Sequence, residues 1–139
     1  MLNMSNTTLV YCIEGKDGKF ESDARVCMES FRLFHTIENV VMMQPSDNDI
    51  DDNCKEYFKE IGVKYFKKVL HNPQSDNSEV AENYTNVPLV CDYMAKRVET
   101  DYMLFTDLDV VYFDKLHLPE TDKCILTIIK GEDTDQWNG

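Results

Sequence analysis

Three aspartates follow one of the most apolar stretches of the chain. After the run YMLF at 102–105 come Asp107, Asp109 and Asp114. Carboxylates gathered at a strand end repel other anions, so such a cluster indicates a bound cation. Carboxylate oxygens bind hard divalent ions such as Mg²⁺ and Mn²⁺, which complete their shell with water and phosphate oxygens. The pair Asp107 and Asp109 therefore predicts a metal site, although acidic residues at a strand end can also simply begin a solvated loop.

The overall charge supports a cation at this position. The chain has 139 residues, enough for about one domain, and a net charge of −12. Such a surface repels nucleic acid and anionic membranes, so we expect neither as a partner. An anionic substrate would need a cation to bind here.

The cysteines and the apolar runs predict a cytoplasmic protein. Five cysteines are spread along the chain without a CxxC pair. We expect buried, reduced thiols, and neither a zinc site nor a disulfide framework. The apolar runs are too short to span a membrane, and the first residues lack the pattern of a signal peptide. We therefore expect a cytoplasmic protein with no membrane segment in this chain.

The elements that must position the aspartates alternate between strands and helices. Apolar runs predict strands at 8–13, 40–44, 63–69, 102–107 and 124–129. Helical periodicity predicts helices from Ser22 or Asp23 to residue 34, from 51 to 61 before Gly62, and from 87 to 98 after Asn86 as N-cap. A polar loop is expected at 71–85. This alternation predicts a three-layer α/β/α fold with an open, mostly parallel, Rossmann-like sheet.

The expected fold places the aspartates where open α/β sheets bind ligands. Ligands lie outside the carboxyl ends of the strands, near a switch in strand order. Asp107 and Asp109 end the most apolar strand, and side chains at i and i+2 of a strand point to the same side. We therefore expect the two carboxylates to converge on one ion.

A family resemblance extends this hypothesis. The segment NVPLVCDYMAKRVETDYMLFTDLDVVYFDKLHLPE (86–120) resembles the middle of nucleotide-sugar-dependent glycosyltransferases of the A type, in which a helix leads to an apolar strand that ends in a DxD motif. The resemblance implies a nucleotide-diphospho-sugar transferase-like fold. It also implies that Asp107 and Asp109 bind Mn²⁺ or Mg²⁺, and that Asp107 and Leu108 contact the donor.

Two shorter matches carry the resemblance to both ends of the chain. TLVYCIEG resembles the first strand of that fold, which implies that Cys12, Ile13 and Glu14 contact the nucleotide base. The terminal WNG resembles an aromatic-Asn-x-Gly segment near the donor sugar, which implies a donor contact for Asn138.

The activity implied is transfer of a sugar from a nucleotide-sugar, a UDP-sugar by resemblance, to a glycan, protein or small-molecule acceptor. The matched residues include no catalytic base. Residues 1–139 are expected to form a single A-type domain truncated after its nucleotide-binding half. Such a chain would bind donor but transfer little sugar.

Two alternatives use the same residues differently. A haloacid-dehalogenase-like phosphatase would use Asp107 as nucleophile and Asp109 as acid/base, with Asp114 as a further acidic position. Against it, Val110 replaces a glycine of that motif and only 25 residues follow Asp114. The second alternative is a non-catalytic nucleotide-binding remnant of a glycosyltransferase.

Overall fold

The structure, a computed structural model, describes residues 3–15, 18–73, 79–119 and 121. After a short 3₁₀ turn at Met4–Asn6 the elements alternate along the chain. The strands are β1 (Thr7–Cys12), β2 (Val40–Gln44), β3 (Lys64–Lys67) and β4 (Tyr102–Phe105). The helices are α1 (Lys19–Arg32), α2 (Asp52–Ile61) and α3 (Glu79–Ala95).

The described strands form one parallel sheet in the order β3-β2-β1-β4. Leu9 in β1 pairs with Val40 on one side and with Leu104 on the other. The chain first builds the sheet outward from β1 to β3 and then crosses back to add β4 on the opposite side of β1. This arrangement confirms the predicted open, parallel, Rossmann-like α/β fold.

Helices cover both faces of the sheet, which explains why the strands are apolar on both sides. On one face, Tyr11 and Met42 pack with residues of α1 and α2, including Phe31 and Phe58. On the other face, β1 and β2 pack against α3 through five buried residues, Val10, Val41, Met43, Val90 and Met94. The molecule is therefore a three-layer α/β/α structure.

Helix α1 begins earlier than predicted. Ser22 and Asp23 lie inside the helix and cap nothing, because Gly18 is the N-cap residue and has a left-handed conformation with φ 76°. Glycine adopts that conformation without a steric penalty, so the turn ends at Gly18 and the helix starts at once. Phe20 then packs against the core.

Helix α3 also begins earlier, and Asn86 is not its cap. The helix starts at Glu79, so Pro88 lies inside it and the predicted loop is shorter at its carboxyl end. Proline interrupts a helix by removing one backbone hydrogen bond, which is why the sequence indicated a helix start at this point. Asn86 is instead buried within the helix.

The remaining predicted boundaries agree closely with the structure. Strand β2 and helix α2 have the expected positions, with Asp51 as N-cap and Gly62 as the left-handed C-cap. Strand β4 ends at Phe105, so the aspartates follow the strand in a turn. The strand predicted at 124–129 lies outside the described residues.

The four described cysteines, Cys12, Cys27, Cys54 and Cys91, form no disulfide with one another. Cys27 and Cys54 are buried as predicted, whereas Cys12 and Cys91 are only partly buried. Among the described helices, none is both long and apolar enough to cross a membrane.

Candidate functional site

The candidate site lies at the carboxyl edge of the sheet, between β1 and β4. These strands are neighbours, but the chain reaches β4 only after β2 and β3 have been added on the other side of β1. A switch of this kind leaves a crevice outside the strand ends, because the loops that follow the two strands turn in opposite directions. The residues after Cys12 and after Phe105 follow these two strands, so this rule places a ligand beside them.

Residues 107–109, here called the acidic turn, follow β4 directly. The Thr106 amide donates to the Val10 carbonyl at 3.2 Å, which extends the β1–β4 pairing by one residue. Beyond it, Asp107 and Asp109 are exposed and Leu108 is buried. Both carboxylates therefore face solvent, and the buried side chain between them anchors the turn to the core.

Neither carboxylate of the acidic turn has a hydrogen-bond or ion-pair partner in the part of the chain that the structure describes. Asp107 acts electrostatically on Cys12, next to it at the end of β1, whereas Asp109 acts on Cys27 in α1.

The residues predicted to contact the base occupy the end of β1. Cys12 is partly buried, and burial, together with the negative charges of Glu14 and Asp107, raises the pKa of its thiol to about 12. Ile13 is buried in the core, and its amide donates to the Met43 carbonyl at 3.0 Å. The side chain of Ile13 is therefore not available to a ligand, and its main-chain amide is already engaged.

Glu14 belongs to a buried polar chain that sequence analysis missed. Its side chain is only 5% exposed and accepts a hydrogen bond from the Asn86 amide at 3.0 Å. The Asn86 oxygen in turn accepts from the Asn72 amide at 2.7 Å. The chain Glu14–Asn86–Asn72 thus joins the ends of β1 and β3 through α3. No local pattern identifies it, because the interacting residues are far apart in the sequence.

A cavity of about 520 Å³ lies beside this polar chain. It is lined by residues that follow β2 and β3, together with one from α3: Pro45, Ser46, Asp47, Asn48, Val69, Leu70, His71, Asn72 and Asn86. Its lining combines amides, a hydroxyl, an imidazole and the Asp47 carboxylate, which is paired with Lys67, with small apolar surfaces. Such a mixture suits a ligand with several hydrogen-bonding groups.

Lys67 does not offer a free charge to this region. Its ammonium lies 2.7 Å from the Asp47 carboxylate and 3.1 Å from that of Asp49. Asp49 also accepts from Gln44 at 2.9 Å, and this bond and the one from Lys67 hold the pKa of Asp49 below its usual value. The Lys67 ammonium is therefore already paired with two carboxylates and would have to leave them to contact a phosphate.

A buried hydrogen bond joins β1 to the segment that follows the acidic turn. The hydroxyls of Tyr11 and Tyr112 share a hydrogen bond of 2.7 Å. Burial is the main cause that raises the pKa of both phenols, so both are neutral at ordinary pH. The segment that carries the aspartates is thereby fixed to the central strand.

The metal-binding capacity of the site rests on two carboxylates. Within the described ranges, no cluster of three or more histidine, cysteine, aspartate or glutamate residues could hold a metal ion. An ion bound by Asp107 and Asp109 would need water and phosphate oxygens to complete its shell, as Mg²⁺ commonly does. Asn138, the remaining predicted contact, lies outside the described residues.

No protein-family model and no curated protein matches this chain.

Proposed function

We propose that the acidic turn and the end of β1 bind a metal-chelated nucleotide-sugar and that the protein is a metal-dependent glycosyltransferase. The observation that carries the proposal is that the carboxylates of Asp107 and Asp109 are exposed and have no hydrogen-bond or ion-pair partner among the described residues. Their place after β4, beside the end of β1, is where a parallel sheet with this strand order receives ligands. The resemblance of residues 86–120 to A-type glycosyltransferases supports the same conclusion.

Electrostatics explains why a metal ion belongs to the proposal. A carboxylate and a phosphate 4 Å apart repel each other by roughly 4 kcal/mol at an effective dielectric constant of 20. Asp107 and Asp109 would therefore reject a bare diphosphate. A divalent ion held there would reverse that repulsion and offset the charge that develops on the departing diphosphate.

The cavity beside Asn86 supports a nucleoside as the rest of the ligand. Its volume of about 520 Å³ is within the range of small-molecule sites. The Asn48 side-chain amide in its lining can both donate and accept, as the edge of a nucleobase requires. Glu14, which follows β1, bonds to Asn86 in the cavity lining. One extended ligand could therefore reach from the cavity to the end of β1. In this proposal the base lies in the cavity and the diphosphate lies at the acidic turn, with a UDP-sugar as donor.

Calorimetry with several nucleotides tests the ligand class. Titration of the protein in Mn²⁺ with UDP, GDP and CMP should give the strongest binding for UDP. Asp109→Asn should abolish the metal-dependent part of that binding, because it removes one of the two ligands. If no nucleotide binds in Mn²⁺, the proposal is wrong.

Asp114→Asn is the matched control, because it makes the same charge change in the same segment. Asp114 is exposed and accepts from the Lys115 amide at 2.7 Å. The glycosyltransferase proposal expects nucleotide affinity to be retained in this variant. The phosphatase alternative instead expects hydrolysis of a phosphate ester by the wild-type protein, weakened by Asp114→Asn.

A further inference from the structure

A buried cluster of hydroxyl and thiol groups lies beneath the acidic turn. Tyr11 and Tyr112 are 0% and 8% exposed, and their hydroxyls are 2.7 Å apart. The side chains of Cys27 and Thr106 complete the cluster, the first against Tyr11 and the second against Tyr112. Polar groups placed in a core in this way are expensive unless they bond to one another.

Tyr112 is held from three directions. Its hydroxyl bonds to β1 through Tyr11, and its amide donates to the Ser30 hydroxyl of α1 at 2.9 Å. Its ring meets Phe31 edge to face, with centroids 5.3 Å apart. Thr106 is meanwhile tied to Val10. The acidic turn therefore lies between two residues that are held in place, Thr106 and Tyr112.

The directional bonds at Tyr112 do something that an apolar side chain would not. Close packing already restricts the ring, and a hydrogen bond to a rigid strand adds a directional restraint on where its hydroxyl lies. Asp107 and Asp109 repel each other when no ion is bound, so an unanchored turn would separate them. An ion would then have to reorder the turn as it bound, at a loss of affinity.

We propose that Tyr112 is a positioning residue for the metal site, which holds Asp107 and Asp109 in their binding arrangement before the ion arrives. This inference rests on the proposed function, because it assumes that the acidic turn binds a divalent ion. It adds that part of the affinity resides in residues that never touch the ion. Removal of such supporting contacts commonly weakens metal binding by about tenfold or more.

The test is Mn²⁺ titration followed by the electron paramagnetic resonance of the free ion. Wild type, Tyr112→Phe, Tyr11→Phe and the double variant are compared at a temperature where thermal melts show all of them folded. We expect each single variant to bind Mn²⁺ about tenfold more weakly. The double variant should bind Mn²⁺ no more weakly than either single variant, because all three variants remove the same hydrogen bond between Tyr11 and Tyr112. The spectrum of bound Mn²⁺ should broaden, as expected for a less uniform site.

Tyr65→Phe is the matched control. The Tyr65 hydroxyl donates to Gln44 at 2.7 Å on the same face of the sheet, near the end of β3. Its loss should leave Mn²⁺ affinity unchanged. If Tyr112→Phe does not fold, Ser30→Ala replaces it, because it removes the acceptor of the Tyr112 amide and should weaken Mn²⁺ binding in the same way.

Two results overturn the inference in distinguishable ways. If wild type binds Mn²⁺ and the Tyr112, Tyr11 and Ser30 variants bind it within twofold of wild type, or no more weakly than Tyr65→Phe, the metal site stands and the positioning role is wrong. If wild type binds no Mn²⁺ with or without UDP, the proposed function fails and this inference fails with it.

Discussion

Asp107 and Asp109 differ from the other exposed aspartates of the described chain because their carboxylates have no hydrogen-bond or ion-pair partner there. Other exposed aspartates are paired, such as Asp92 with Lys96 at 2.8 Å. An unpaired carboxylate pair at a strand end stores repulsion that a bound ion would relieve. Residues arranged for binding in this way commonly reduce stability.

We therefore expect Asp109→Asn to leave thermal stability unchanged or slightly higher while Mn²⁺ binding is lost. The substitution keeps the shape and removes one of two repelling charges. Thermal melts with and without Mn²⁺ measure both effects. A fall of several degrees with Mn²⁺ binding retained would mean that Asp109 is a structural cap, whose loss typically costs about 1 kcal/mol.

Asn86 should matter for stability because it partners the buried Glu14. Asn86→Ala removes the hydrogen bond to Glu14 and should lower the free energy of unfolding by about 1–3 kcal/mol. Urea denaturation measures this, with Asn53→Ala as control, because Asn53 is exposed in α2. Equal effects of the two substitutions would show that the buried chain contributes no stability.

At the residue scale, sequence analysis could find the acidic turn but not the polar chain. Asp107 and Asp109 are two residues apart after an apolar run, a pattern visible in the sequence. Glu14 and Asn86 are 72 residues apart and meet only because α3 crosses over the sheet. Asn86 even resembled a helix cap, because Pro88 follows it.

Among the elements, the loop after β1 approaches the loop after β2 unusually closely. The Gly15 amide donates to the Asn48 carbonyl at 2.7 Å, and a Cβ on Gly15 would collide with the carbonyl oxygen of Asp49. Only glycine allows this approach, which brings the end of β1 against one wall of the cavity.

We expect Gly15→Ala to destabilise the protein by about 1–3 kcal/mol, because the two loops must separate. Gly18→Asn is the control. Gly18 has φ 76° and open space around it, and asparagine tolerates that conformation. Urea denaturation compares them. If Gly15→Ala were as mild as the control, the close approach would not be a constraint.

His35 fastens the segment that follows the acidic turn to α1. It stacks on Phe31, and its Nε2 accepts from the Leu116 amide at 2.9 Å. Burial lowers the pKa of His35 from its ordinary value of 6.5, and the positive charges of Lys115 and His117 lower it further. The folded protein therefore favours the neutral imidazole, which alone can accept this bond.

The sign of the resulting pH effect follows from linkage. The unfolded chain binds a proton at His35 more readily than the folded chain, so stability is fully present above pH 6.5 and declines as the pH falls below it. Urea denaturation from pH 8 to pH 5 should show a steeper decline in wild type than in His35→Gln. Parallel curves would contradict the role of His35.

The elements were predictable where one local signal dominated. Strand β2 and helix α2 have apolar runs or stripes between clear turn residues, and Asp51 and Gly62 have the cap roles typical of their types. The predicted starts of α1 and α3 were wrong because each helix begins before the residues expected to start it. Helix α1 includes Ser22 and Asp23, and α3 includes Pro88. Packing in the folded protein decided those boundaries.

The whole molecule is governed by its net charge of −12. Repulsion among so many like charges opposes the compact state and is screened by salt. We expect added NaCl, from 10 to 150 mM, to raise the melting temperature of the metal-free protein by a few degrees. A melting temperature that falls over this range would mean that favourable ion pairs outweigh the repulsion.

The same charge makes metal dependence the most direct test of the central claim, that a divalent ion brings an anionic nucleotide to the acidic turn. The measurement is the UDP dissociation constant at fixed ionic strength, first in Mn²⁺ and then after EDTA. We expect EDTA to weaken UDP binding by about tenfold or more, because Asp107 and Asp109 then repel the diphosphate. UDP binding that EDTA leaves unchanged would contradict it.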